Sequence, residues 1–257
     1  MLASDFIINY FFYYLLIVFS IFFCLLVYNF NFLVRSFKKV KKTTWIILFL
    51  IFLFAFSLRM WFVPHMFQIY NDEYAHKDVA QNMFFYQSAC ECHGIINETG
   101  CSVCIVPAWS PVYHFLLSFS FSFSDGFDFL FFLPILISSL SIVLFFLFSF
   151  LIFRNDWLSL FSSLFLAVLP IHLRYSGSLA LEIPSLFFVL LSFILFLLLF
   201  EIRRFSFFLL FFTTFLITLQ IKFENLFFIV IFGLLYLLKF YKTSKVKKKY
   251  YLLFFLI

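Results

Sequence analysis

The chain has 257 residues, 65% hydrophobic and 12% charged, against roughly 25% charged in an average soluble domain, so a water-soluble globule is excluded. Five Gly and six Pro leave the apolar runs long, and such hydrophobicity also excludes intrinsic disorder. The net charge of +6 does not point to nucleic acid, because basic residues in short loops between apolar spans are the ordinary mark of membrane orientation.

An uncharged run of about 20 residues crosses the hydrocarbon core as a helix. The first such run, Phe6 to Val34, has no basic stretch before it and no small-residue cleavage site after it, so it reads as a retained helix and not a signal peptide. With the basic loop behind it, it forms an extra N-terminal unit, 1–44, ahead of a main transmembrane unit, 45–257. The second run is Trp45 to Val63. Arg59, one turn from its end, reads either as a phosphate-binding cation or as a side chain snorkelling to lipid headgroups.

The loop 64–128 follows. Its opening, Gln68 to Met83, reads as a short amphipathic helix with Ala75, Val79, Ala80 and Met83 on its apolar face. Asp72 and Glu73 stand at its start, where carboxylates favour the helix dipole and an ordinary N-terminal cap is a sufficient reason for them. Asn71 is a good cap in its own right, however, and His76 lies four residues from Asp72 and three from Glu73. The carboxylates and imidazole can therefore converge for general-base work or to hold a divalent metal, Glu73 being the candidate ligand.

Next come Cys90-x-Cys92-His93 and Cys101-x-x-Cys104. Four close cysteines outside a membrane make two disulfides or one structural zinc site, and either would brace a loop that lacks a core of its own. Cys24, within the first helix, reads as a small apolar residue. Asn97-Glu98-Thr99 matches a glycosylation sequon.

Trp109 to Ser124 is apolar with alternating serines, and the charge count places it. If it lies in the interface, one side of the membrane collects Arg35, the four lysines of 38–42, Arg154, Arg203, Arg204 and the six lysines from Lys239 to Lys249. These are fourteen of the 18 basic residues, against only Asp156 and Glu201 of the 12 acidic ones. The positive-inside rule makes that side cytoplasmic and the helix interfacial or re-entrant. Five further spans follow at Phe129–Phe153, Leu158–Leu173, Ile183–Phe200, Phe205–Ile221 and Leu226–Tyr241, and an eighth begins at Tyr250. The expected fold is all-α: a bundle of seven or eight spans, with surface helices in a large first extracytoplasmic loop. Arg174, Glu182, Lys222 and Glu224 fall on the same face as that loop. For Glu182 a helix N-terminal carboxylate two residues before Pro184 is the plain alternative, and for Lys222 a salt bridge with Glu224. His172 reads as an interfacial residue.

The segment Asp72-Glu73-Tyr74-Ala75 in the first outer loop resembles the GT-C superfamily of membrane glycosyltransferases, which includes the protein O-mannosyltransferases and the lipid A aminoarabinose transferases. Trp109-Ser110-Pro111-Val112-Tyr113-His114 is similar to the stretch opening that family's second surface helix. Leu169-Pro170 through Glu182-Ile183-Pro184, and Gln220 through Asn225, are similar to two later segments. Two family positions differ, since Phe131-Phe132-Leu133-Pro134 lacks an Arg and Ser110 replaces a Lys. The resemblance implies transfer of a sugar from a polyprenyl-phosphate donor to a protein or glycolipid acceptor, with inversion. Asp72 would be the base, Glu73 its catalytic neighbour, and His76, Tyr113, Arg174, Glu182, Lys222 and Glu224 would bind substrate. It also implies a longer protein, of which this chain is an N-terminal piece. Two other classes fit the composition: a transporter or flippase of lipid-linked substrates, which should carry polar or broken positions at mid-membrane, and a non-catalytic assembly subunit binding a partner through its Cys-rich loop.

Overall fold

In the computed structural model, residues 2–68, 70–92, 96–97, 100–101, 104–105, 112–122, 127–202 and 204–242 are described. Glu98 and Thr99 of the sequon, residues 109–111, Gly126 and the helix expected from Tyr250 lie outside them. Ten helices are present among the described residues: α1 (Leu2–Ser36), α2 (Lys42–Trp61), α3 (Tyr70–Tyr86), α4 (Val112–Ser118), α5 (Phe127–Phe153), α6 (Asp156–Val168), α7 (Pro170–Ser176), α8 (Glu182–Leu199), α9 (Phe205–Ile221) and α10 (Phe227–Lys242).

Among the described residues, four helices are long and apolar enough to cross a membrane: α1 from Tyr10, α2, α5 from Phe129, and α8. The number is five if α6 and α7 count as one broken span. α9 and α10 are apolar but only 17 and 16 residues long, at or below the usual minimum for a crossing helix. Of their apolar stretches α5 and α8 bury 56% and 50%, whereas α1 and α2 bury 17% and 22%, so the former pair is central and the latter faces outward.

The continuous helix expected over Leu158–Leu173 is a correction. The chain there bends by 57° between α6 and α7. Leu169 is extended and Pro170 starts α7, because proline has no N–H to continue the α6 ladder and its ring excludes the preceding residue from helical backbone. The carbonyls at the end of α6 are thereby left without helical donors.

The connections gather at two ends of the bundle. At one, Asp156 accepts from the Lys41 backbone N–H (3.3 Å) and the Thr44 hydroxyl (2.7 Å), and Arg154 pairs with Glu201 (2.9 Å). At the other lie α3, α4, α7 and the turn after α9. Serine and threonine hydroxyls align α8 with α9 between them: Ser192 meets Thr218 (2.8 Å), and Ser185 donates to Asn225 (2.9 Å), whose amide donates to the Thr218 carbonyl (2.7 Å). Interhelical bonds of this kind hold apolar helices in register where lipid supplies no hydrophobic drive.

At the α3 end the structure departs from a set of surface helices. Val112, Tyr113, His114, Phe115, Leu117 and Ser118 of α4 are all buried, with Phe115 stacked on Phe19 of α1. The interfacial or re-entrant helix expected over Trp109–Ser124 is, where described, a short enclosed helix continuing into a 3-10 turn at Phe119–Ser122, which departs from the interfacial form. Two small antiparallel ladders occupy the cysteine region. Glu91–Cys92 pairs with Cys104–Ile105, and Ile96–Asn97 with Gly100–Cys101, which sets Cys92 opposite Cys104.

Gly177, after α7, is packed against the segment that follows α2: a Cβ there would lie 2.5 Å from the Pro64 carbonyl oxygen and 2.7 Å from Val63. Its own carbonyl accepts from Met66 N–H (3.2 Å). Gly177→Ala should destabilise the protein by about 1–3 kcal/mol, the cost of overpacking against backbone, read as a lowered melting temperature in detergent. An unchanged melting temperature would mean that the two segments separate freely.

Candidate functional site

The α3 end brings together residues that lie up to 150 positions apart. Helix α3 starts at Tyr70, so Asn71 sits in its first turn and not at its cap. Glu73 instead ties the helix to two neighbouring segments. It is fully buried; one carboxylate oxygen accepts from Gln68 N–H (2.8 Å), just before the helix, and the other from Leu179 N–H (2.7 Å), just after Gly177. A carboxylate receiving two backbone N–H groups joins two loops. Asp72 is half-buried beside it, and among the described residues no backbone N–H is bonded to it.

His76 lies one turn further along, buried at 3% exposure. Its Nδ1 is 2.8 Å from Nε2 of His114, which makes an imidazole pair across α3 and α4. Burial lowers the His76 pKa to about 4, even though the charges of Asp72 and then Glu182 pull the other way. His76 is therefore neutral at pH 7, and one ring of the pair donates to the other. Tyr113, adjacent to His114, is fully buried, and its hydroxyl has no hydrogen-bond partner among the described residues. Burial, together with the charges of Glu73 and Glu182, pushes the phenol well above its ordinary value, so it stays protonated as a donor.

Glu182 opens α8 and Lys222 ends α9. The hydroxyl ladder between these helices sets them at the same height, and Lys222 Nζ reaches Glu182 at 3.1 Å and Glu224 at 3.6 Å. Burial pushes the Lys222 ammonium down, but Glu182 and then Glu224 outweigh it and leave the pKa raised. The salt bridge expected between Lys222 and Glu224 is present as the longer of two. Arg174 is exposed and donates to the Gln68 side chain (3.0 Å).

Arg59 is the clearest correction. It neither snorkels nor faces the site, being 0% exposed and bonded within the bundle. It donates to Ser138 Oγ of α5 (2.6 Å), to Ala55 O (2.8 Å) and to Ala167 O (3.2 Å), and meets His172 Nδ1 at 2.8 Å. Ala167 O is one of the carbonyls stranded by the break before Pro170. The guanidinium thus closes that break, and His172, expected at the interface, is buried as its partner.

Asp72, Glu73, His76, Tyr113, Glu182, Lys222 and Glu224, all chosen from the sequence, therefore lie at one end of the bundle, with Arg174 at its edge. His114 was quoted for the resemblance but given no role; a polar ring in an otherwise apolar helix was the signal available. Cys90 is disulfide-bonded, which is one of the two states expected for the cluster. The side chains of Cys92, Cys101 and Cys104 are outside the described residues. Among the described residues no three His, Cys, Asp or Glu side chains are grouped for a metal, near Glu73 or elsewhere.

The lowered pKa of His76 has a measurable consequence. An unfolded imidazole takes up a proton near pH 6.5, while the folded one does so only near pH 4, so the unfolded state binds more protons in that window. Stability is full above about pH 6.5 and falls as pH drops toward 4. Between pH 7 and 5 the loss should be roughly 2 kcal/mol, and His76→Gln should flatten the slope of melting temperature against pH. An equal slope in the variant would assign the acid sensitivity to other groups.

Comparison with family models, with curated proteins and with solved structures gives no match.

Proposed function

We propose that the chain is a multi-pass membrane glycosyltransferase, or the catalytic part of one, that takes a sugar from a polyprenyl-phosphate donor on the extracytoplasmic face. The observation that carries this reading is the convergence of Asp72, His76, Tyr113, Glu182 and Lys222 from four separate segments at the bundle end opposite the basic loops. Ionisable groups buried among apolar helices are costly, and a cluster of them marks a functional site.

In this reading Asp72 is the base, because it is half-buried and, among the described residues, not committed to backbone donors, whereas both oxygens of Glu73 are. Glu73 is then a positioning residue that holds the 177–181 loop against α3. Inversion in one displacement needs Asp72 to take the acceptor proton while a cation meets the charge developing on the leaving phosphate. Lys222 is that cation, and Glu182 and Glu224 aim its ammonium. The buried Tyr113 hydroxyl is a donor for a sugar hydroxyl or a phosphate oxygen.

The sidedness and the activity are tested separately. In a Cys24→Ser background, a cysteine replacing the exposed Phe62 should react with an impermeant maleimide from outside intact cells, and one replacing the exposed Lys39 should not. The reverse pattern would put the site in the cytoplasm. The purified protein should transfer labelled sugar from a synthetic polyprenyl-phosphate donor; movement of donor across vesicles without transfer would establish a flippase instead.

A further inference from the structure

At the end of the bundle opposite the candidate active site, the segment between α1 and α2, the turn between α5 and α6 and the end of α8 enclose a pocket of about 980 Å³. Five cationic residues line it and two carboxylates do. Both carboxylates are engaged: Asp156 with the Lys41 N–H and Thr44, and Glu201 with Arg154. Among the described residues, Arg35, Lys38 and Lys39 have no carboxylate within ion-pair distance, so the pocket holds an excess of positive charge that its own walls do not neutralise.

The apolar part of the pocket sets its depth in a membrane. Phe150, in the last turn of α5, is buried in its floor, while Trp157 in the wall and Phe153 beside it are exposed, at 65% and 54%. Exposed aromatic rings at the ends of long apolar helices mark the headgroup level of a bilayer, and the cations line the same pocket as Trp157.

We propose that this pocket binds the phosphate of an anionic phospholipid headgroup. Unneutralised Arg and Lys supply the charge, Trp157 and Phe153 flank the glycerol region, and the mouth lies at the height of lipid phosphates. Basic pockets between helix ends recognise such headgroups, each nearby Lys or Arg contributing about fivefold in affinity. The proposal stands independently of any transfer activity.

The full chain, purified in detergent, is incubated with equal amounts of phosphatidylglycerol and phosphatidylcholine, and retained lipid is counted by native mass spectrometry. Phosphatidylglycerol should be retained preferentially, and Lys38→Gln/Lys39→Gln should weaken its retention roughly tenfold or more. Arg35→Gln should weaken it as well, and it carries the test if the double variant does not express. Lys42→Gln removes a charge at the start of α2, outside the pocket lining; with the lining cations intact it should leave retention within about twofold. Equal losses from Lys39→Gln and Lys42→Gln, or no preference for phosphatidylglycerol, would overturn the proposal. So would full displacement of the lipid by inorganic phosphate, which would make this a site for a soluble anion.

Discussion

Asp72→Asn is expected to lower sugar transfer by about 10²- to 10⁴-fold, the usual contribution of a general base. The substitution keeps the size of the side chain and one hydrogen-bond acceptor, and removes the basicity together with the negative charge. Binding of the lipid-linked donor, measured by its retention on the purified protein, should survive. If Asp72 merely decorates the start of α3, the loss is instead about 0.3–1 kcal/mol of stability with transfer intact. A normally folded Asp72→Asn protein with full activity would therefore remove Asp72 from the mechanism and leave Glu182 as the next carboxylate to test. Glu73→Gln serves as the contrast. Its amide turns an N–H toward one of two backbone donors, so it should lower the melting temperature while activity per folded molecule changes less than in Asp72→Asn.

Arg59→Met is expected to be the most damaging change for the fold. It preserves most of the side chain's length but strands the Ser138 hydroxyl, the Ala167 carbonyl and the His172 ring, each buried. An unmet buried polar group costs about 1–3 kcal/mol, so three of them should cost roughly 3–9 kcal/mol, comparable with the whole stability of many domains. Arg59→Lys keeps the charge but offers one point of donation in place of a planar fork, and should recover only part of the loss. Melting temperature and the yield of monodisperse protein in detergent measure both. Because α6 and α7 meet at this residue, protease sensitivity near Pro170 should rise in Arg59→Met. Ordinary stability there would show that the break is held by packing alone.

The sequence by itself determined that the chain is helical and apolar, and it located α1, α2, α5 and α8 within a few residues. Hydrophobic runs with few breaks are local information, and a helix satisfies its own backbone locally. It also assigned Asp72, Glu73, Tyr113, Glu182 and Lys222 to one end, since each stands at the edge of an apolar run and consecutive helices alternate direction. The break at Pro170 was equally local, but the length of the apolar stretch around it outweighed one proline when Leu158–Leu173 was read as a single helix.

What tertiary structure decided were partnerships across long separations. Nothing near Arg59 in the chain distinguishes a side chain that snorkels from one that is buried; the distinction rests on a carbonyl orphaned 108 residues later, which makes burial of the charge worth its desolvation. Asp72 and Glu73 are neighbours of the same charge, yet only Glu73 meets the Leu179 N–H, 106 residues away, because Gly177 lets that loop approach. The pairing of His76 with His114 likewise needed α4 enclosed beside α3 and α1, not laid on the surface. Periodicity tells which face of a helix is apolar, but it cannot tell which polar group on another element will be waiting there, and in a low-dielectric interior that partner sets both the position and the charge of each ionisable residue.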